Sequence, residues 1–178
     1  MERIEMKKRV KMGRHNPHTR HETFVGRLRT MLVFADGNFE DNDTTVLFYV
    51  YHGLPDSRGR YQQLAELCLT NDLCDNAYHV DLMRVNSVFQ GFSVAPILYA
   101  YIMKKFGIVI QAGEAQSAGG RKIWSKLCKM KNVIVFGTSG RKFVQMDVDE
   151  ETGELCADGA KVYSDGRSRF KTFAYYQG

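Results

Sequence analysis

Two strand-to-helix junctions in tandem constrain the fold of this chain more than any other feature. The first is Phe89–Ala95, and the second is Gln116–Leu127, which follows the short apolar run Ile108–Ile110. Strands joined through helices in this way are expected to run parallel in one sheet. Helix N-termini offer unpaired N–H groups and the positive end of a dipole. Two such ends close together therefore predict a site for a phosphorylated ligand.

Apolar periodicity and turn residues extend this pattern in both directions. We predict strands at Arg27–Ala35, Thr44–His52, Ala77–Val85, Ile108–Gln111, Val133–Phe136 and Lys142–Val148, with an edge strand at Phe170–Tyr176. We predict helices at Arg60–Leu69, from Ser93 as N-cap to Gly107, and at Gly119–Met130. This order predicts an α/β fold of the α+β mixed-sheet type, with helices on both faces of a central mixed sheet.

Length and charge indicate one domain with a basic extension. The chain has 178 residues and a net charge of +5, and Lys, Arg and His crowd its first 29 residues. We predict a basic N-terminal arm over residues 1–22 and a single domain over 23–178. The arm is either a solvated extension or a contact for nucleic acid or an acidic partner. No apolar run has membrane-spanning length, so we expect a cytoplasmic protein with no membrane partner.

The four cysteines, Cys68, Cys74, Cys128 and Cys156, are scattered along the chain. No second close pair and no suitably spaced histidine completes a metal-binding pattern, so no metal site is predicted. Free reduced thiols are the favoured interpretation. A catalytic cysteine with a histidine partner is the alternative.

The two junctions resemble those of the GNAT superfamily of N-acyltransferases, and in particular its compact bacteriophage-encoded members. Gln90–Ala95 (QGFSVA), followed by Pro96–Tyr99, is similar to the family's phosphate loop of the form Arg-Gly-x-Gly-x-Ala-x-x-Leu-Tyr. Ser117–Trp124 (SAGGRKIW) is similar to the family's second motif, Asn-x-x-Ala-x-x-Leu-Tyr. The resemblance covers Ala77–Phe136, about a third of the chain.

This resemblance implies a single GNAT-like acyltransferase domain that uses acetyl-CoA as acyl donor. It implies an N-acetyltransferase in which an amine attacks the thioester directly, with the backbone of Leu82–Val85 polarising the carbonyl. Arg121 and Lys122 are candidates for contact with the 3′-phosphate. The implied cofactor-binding residues are Val85, Gln90, Gly91, Phe92, Ser93, Val94, Ala95, Gln116, Ser117 and Trp124. The acceptor amine is left open between a protein, a small amine and a modified nucleotide, and the basic arm favours a macromolecule.

A general base is expected at a strand end beside the cleft. His79 and Asp81 share one face of their strand by alternation, and Glu114 follows the next strand. Exposed strand polarity explains these residues equally well. Ser117 or water is the candidate proton donor, because Trp124 replaces the family's tyrosine and an indole N–H is not an acid on that scale.

Two departures from the family pattern support a second hypothesis. Phe92 and Ser93 stand where the family has small or basic residues, and Trp124 stands at the tyrosine. The alternative is therefore a catalytically inactive GNAT-fold protein that binds a host protein or nucleic acid. A third hypothesis is a nucleic-acid-binding module led by the basic arm, with Tyr175 and Tyr176 as stacking surfaces.

Overall fold

The computed structural model describes residues 12–17, 22–37, 39, 44–71, 77–113, 116–164 and 167–178. Most of the predicted basic arm, residues 1–11 and 18–21, lies outside these ranges. So does Glu114, one of the three candidate bases.

A large mixed sheet dominates the described part of the chain. Its strands are β1 Arg14–His15, β2 Thr23–Leu28, β3 Met31–Asp36, β4 Thr45–Pro55, β5 Tyr61–Thr70, β6 Ala77–Val85, β7 Val109–Gln111, β8 Val133–Ser139, β9 Lys142–Gln145 and β15 Lys171–Tyr176. The strand order is β2-β3-β4-β5-β6-β7-β15-β8-β9, and β1 pairs with β5. Two small sheets contain β10 Asp147–Val148, β11 Leu155–Ala157, β12 Ala160–Lys161, β13 Tyr163–Ser164 and β14 Arg167–Ser168. The prediction of an α/β protein with a mixed sheet is confirmed.

Parallel pairing occurs where the junctions predict it. Strands β6 and β7 pair in parallel, with Tyr78 opposite Ile110. Strand β15 lies between β7 and β8 and is antiparallel to both, so β7 and β8 also run in the same direction. We predicted β15 as an edge strand, and this is wrong. Its alternate residues Thr172 and Ala174 are buried, which is typical of an interior strand.

Two helices connect the parallel strands, α1 at Val94–Phe106 and α2 at Ala118–Cys128. Both pack on the same face, where Leu98 and Leu127 share one buried cluster with Leu67 of the sheet. The separate cluster of Leu32, Phe34 and Tyr51 on the opposite face includes no helical residue. The expectation of helices on both faces is therefore not met within the described residues. Neither helix is long and apolar enough to cross a bilayer.

Segment 60–69, predicted as a helix, is strand β5. Its leucines and alanine also fit an alternating pattern, in which Ala65, Leu67 and Leu69 are fully buried on one face. Strands β4 and β6 pair with its two edges. Tertiary pairing has overridden the helix propensity of this segment.

The predicted strand Arg27–Ala35 is two strands. Strands β2 and β3 form an antiparallel hairpin in which Leu28 pairs with Met31. Arg29, in the turn between them, adopts a left-handed conformation with φ of 56°. The turn consists of Arg29 and Thr30 and contains no Gly, Pro, Asn or Asp. The sequence therefore gave no indication of this break.

Part of the predicted arm belongs to the sheet. Arg14 of β1 pairs with Gln62 of β5, next to the point where β6 ends and leaves β5. The side-chain amide of Asn86, the residue after β6, donates hydrogen bonds to the carbonyl oxygens of Met12 and Gln63. Strand β1 therefore lies along the same edge of β5 as β6 and begins where β6 ends.

Candidate functional site

A cleft opens where the parallel strands diverge. Strands β6 and β7 pair over only three residues each, ending at His79 and Gln111. Beyond that point lies a cavity of about 770 Å³ between the two helices. A Cβ atom on Gly113 would lie 3.1 Å from the carbonyl oxygen of Val80, so glycine permits this close approach just beyond the last paired residues. Clefts at the carboxyl ends of parallel strands are the usual ligand sites of open α/β sheets.

The first junction leaves the N-terminus of α1 uncapped. A short 3₁₀ helix, Ser87–Phe89, leads into Gly91, whose φ of 96° favours glycine. Ser93 is the N-cap residue as predicted, but it is left-handed and its side chain makes no hydrogen bond to the helix. The first N–H groups of α1, on Val94 and Ala95, therefore have no side-chain cap, and both residues line the cleft.

Lysine side chains add positive charge beside this helix end. The ammonium group of Lys126 donates a hydrogen bond to the Ser93 hydroxyl at 3.0 Å, and Lys122 lines the cleft one turn earlier on α2. Our sequence analysis missed Lys126. The i, i+4 spacing of these two lysines on a predicted helix was the available indication.

The second junction is capped and carries an unsatisfied buried acceptor. The Ser117 hydroxyl accepts a hydrogen bond from the Gly120 N–H at 3.1 Å, which makes Ser117 the N-cap of α2. The side-chain amide of Gln116 donates to the carbonyl oxygen of Gly113 at 3.4 Å. The buried Gln116 Oε1 atom has no hydrogen-bond partner in the structure. A buried acceptor beside a cleft is suited to a ligand donor.

Two aromatic rings close the inner end of the cleft. Trp124 is 2% exposed and meets Tyr99 edge-on, with 6.2 Å between ring centroids. Both residues line the cleft while packing in the core. Burial raises the pKa of Tyr99 well above its usual range.

The candidate bases are separated by a bulge in β6. The pairing register of β5 and β6 shifts between Val80 and Leu82, so Asp81 is an extra residue in β6. Asp81 is exposed and lines the cleft, whereas His79 pairs across the sheet with Thr70 and Gln111 and does not line it. The predicted common face of His79 and Asp81 is wrong, because the bulge interrupts the alternation.

The cleft brings together most of the residues predicted for the site. These are Asp81, Val85, Gln90, Gly91, Ser93, Val94, Ala95, Gln116, Ser117 and Trp124. Phe92 does not line the cleft and is 72% exposed, and Arg121 also lies outside the lining. Cys68 and Cys128 do not line it either, and burial raises the pKa of the Cys128 thiol to about 11.

Comparisons with protein families, with curated proteins and with solved structures find no match to this chain. The fold and the cleft therefore define its class on their own. That class is an α/β protein with a cleft between two helix N-termini, at the point where parallel strands diverge.

Proposed function

We propose that this chain is an acetyl-CoA-dependent N-acyltransferase with the finer architecture of the GNAT superfamily. The observation that carries the proposal is the cleft itself. The N-termini of α1 and α2 both border it, beyond the diverging ends of β6 and β7. This is the arrangement that the resemblance to the family's two motifs requires.

The residues present fit the chemical groups of acetyl-CoA. Uncapped N–H groups on Val94 and Ala95, with Lys126 beside them, suit a pyrophosphate. The unsatisfied Gln116 Oε1 suits an amide N–H of the pantetheine chain. A volume of about 770 Å³ lies within the usual range of about 300–1,000 Å³ for ligand pockets.

Bound acetyl-CoA would supply an acyl group already activated as a thioester. The protein would contribute mainly positioning and proton transfer. Asp81 is the candidate to accept the proton of the acceptor amine at its carboxylate, because it alone of His79 and Asp81 lines the cleft. The backbone of Leu82–Val85 would polarise the carbonyl oxygen. Ser117 Oγ or water would return a proton to the departing sulfur.

The acceptor class follows less directly from the cleft. We retain a protein amine, a small amine and a modified nucleotide as acceptors, with a macromolecule favoured by the basic N-terminal sequence. We expect the reaction in the cytoplasm, and in that of the host cell if a bacteriophage encodes the chain.

Isothermal titration of the full chain with acetyl-CoA tests the proposal, with dephospho-CoA as the comparison ligand. We expect micromolar affinity for acetyl-CoA. An acceptor screen that detects released thiol follows from that result. The variant Asp81→Asn should then lower kcat with little change in affinity for acetyl-CoA, while Asp147→Asn, outside the cleft, should leave both unchanged.

Absence of heat, together with an unchanged melting temperature, would contradict the acyltransferase proposal. Trp124 specifically favours the second candidate function, a GNAT-fold protein that binds a partner without acylation. Its indole occupies the inner end of the cleft against Tyr99 and is a poor acid. Binding of acetyl-CoA without turnover of any amine would support this second candidate.

A further inference from the structure

The sheet face opposite the helices carries a group of aromatic side chains, here called the aromatic surface. It consists of Phe136 on β8, Phe143 on β9, and Phe173 and Tyr175 on β15. Their neighbours Val135 and Ala174 point to the helix-covered face and are buried in the core. The aromatic surface is therefore remote from the cleft and faces away from α1 and α2.

The rings lie close together and remain accessible. Phe136 and Phe173 are stacked, with centroids 5.2 Å apart and an angle of 13° between their planes. Tyr175 meets Phe136 edge-on at 5.9 Å, and Phe143 lies 6.1 Å from Phe136. Phe143 is 76% exposed, and the other three rings are partly exposed. Exposed, grouped rings of this kind mark an interaction site rather than a core.

Several cations lie beside these rings among the described residues. Lys171 pairs with Thr138 on the same face and is exposed. Arg141 lies in the adjacent β8–β9 turn, and the exposed Lys142 begins β9. Arg169, just before β15, is also exposed. The side chains that β7, β8, β9 and β15 direct to this face include no carboxylate.

From this juxtaposition we propose that the aromatic surface binds single-stranded nucleic acid. Its rings would stack on bases, and the bordering lysines and arginines would contact phosphates. Sheets use exposed aromatic side chains in this way to bind unpaired bases, whatever their sequence. The proposal does not depend on the acyltransferase activity, because none of the four rings lines the cleft.

Charge complementarity favours a polyanion over a second copy of the chain. Two copies packed through the aromatic surface would bring cations together, and β7, β8, β9 and β15 supply no carboxylate there to pair with them. A phosphate backbone supplies negative charge along its whole length. Its bases also present flat faces to the accessible rings.

Fluorescence anisotropy of the full chain with a labelled 20-nucleotide oligo(dT) tests the proposal. We expect binding that weakens as salt is raised, and weaker binding to a duplex of equal length. An abasic strand of equal length keeps the phosphates and lacks the bases, so it should bind at least about fivefold more weakly. Phe143→Ala and Lys171→Glu should each weaken oligo(dT) binding by about fivefold or more.

Two matched variants serve as controls elsewhere on the sheet. Phe24 is 53% exposed on β2, and Arg58 is exposed in the β4–β5 turn. Phe24→Ala and Arg58→Glu should leave oligo(dT) affinity unchanged. Equal binding of the abasic strand, or full affinity in Phe143→Ala, would overturn the proposal in favour of charge contacts elsewhere. Absence of binding, or a dimer by sedimentation that Phe143→Ala dissociates, would also overturn it.

Discussion

The ammonium group of Lys126, in the last turn of α2, hydrogen-bonds to the hydroxyl of Ser93 at the start of α1, over 3.0 Å. This contact links the N-terminus of α1 to the last turn of α2, 33 positions later. The side chain of the left-handed Ser93 makes no hydrogen bond to the first turn of α1, and its hydroxyl accepts from the lysine instead. A cation is thereby held beside uncapped N–H groups, and both features attract an anion.

Replacement of this lysine should weaken ligand binding. We expect Lys126→Gln to reduce acetyl-CoA affinity about tenfold, because a hydrogen bond to a charged group contributes about 1.5–3 kcal/mol. Titration calorimetry at two salt concentrations measures the loss, and the variant should show the weaker salt dependence. The control is Lys129→Gln, at the C-cap of α2 and outside the cleft. Equal affinity in the two variants would show that Lys126 does not contribute to acetyl-CoA binding.

Ser117 should contribute to stability through its cap. Ser117→Ala should lower the free energy of unfolding by about 1 kcal/mol, because the Gly120 N–H loses its acceptor. Ser117→Asn should preserve stability, since asparagine is an equally good N-cap. Urea denaturation gives both values. A proton-donor role would appear separately, as a loss of kcat in Ser117→Asn despite its normal stability.

Trp124 should report directly on the cleft. It is the single tryptophan of the chain and lines the cavity, so acetyl-CoA binding should change its emission. The variant Trp124→Phe should lose that signal and keep binding by calorimetry. Unchanged wild-type emission at saturating ligand would indicate that the ligand does not enter the inner end of the cleft.

Asp56 should make stability depend on pH. The backbone N–H of Arg60 and, after it, the Arg14 guanidinium hold the pKa of Asp56 below its usual range. A folded-state pKa below the unfolded value of about 3.9 stabilises the fold above that pH, and this contribution disappears as pH falls toward the folded-state pKa. Asp56→Asn should therefore lower the melting temperature most at neutral pH. The difference from wild type should shrink below about pH 4.

A matched variant separates this effect from general surface charge. Glu150 is an exposed carboxylate on a distant loop, and Glu150→Gln should leave the pH profile of the melting temperature unchanged. A constant difference between Asp56→Asn and wild type at every pH would contradict the pKa assignment. Hydrogen exchange should also show faster opening of β1 in Asp56→Asn, because Arg14 loses its ion pair.

The Cys128 thiol should react slowly at neutral pH. Burial, followed by the nearby Asp147, raises its pKa to about 11, and the thiolate is the reactive form. Alkylation followed by peptide mass spectrometry should show the rate at this cysteine still rising above pH 9. A plateau below pH 9 would contradict the raised pKa.

Sequence reasoning was most successful between Ala77 and Cys128. Strand β6 and helix α1 have the predicted bounds, because alternation, Pro96 and Gly107 mark them locally. Strand β5 was missed because Leu64, Leu67 and Cys68 fit a helical period as well as a strand. Only its partners β4 and β6, distant in sequence, decide between the two.

The site shows the same division between local and distant information. The glycine and serine positions of the two junctions were visible as motifs, and the structure brings them to one cleft. The bulge at Asp81 was not visible in the sequence, because it depends on the register of β6 against β5. Lys126 was missed for a similar reason, since its partner Ser93 is 33 positions away.

The position of β1 in the sheet has a consequence for the order of folding steps. The carbonyl oxygen of Met12 accepts a hydrogen bond from Asn86, 74 positions later, and within the described residues β1 pairs with β5 alone. β1 is therefore synthesised before its partners, and it has no place to bind until β5 has paired and the turn after β6 has formed. Contacts between such distant positions close slowly and late. We expect docking of β1 to be among the last steps of folding.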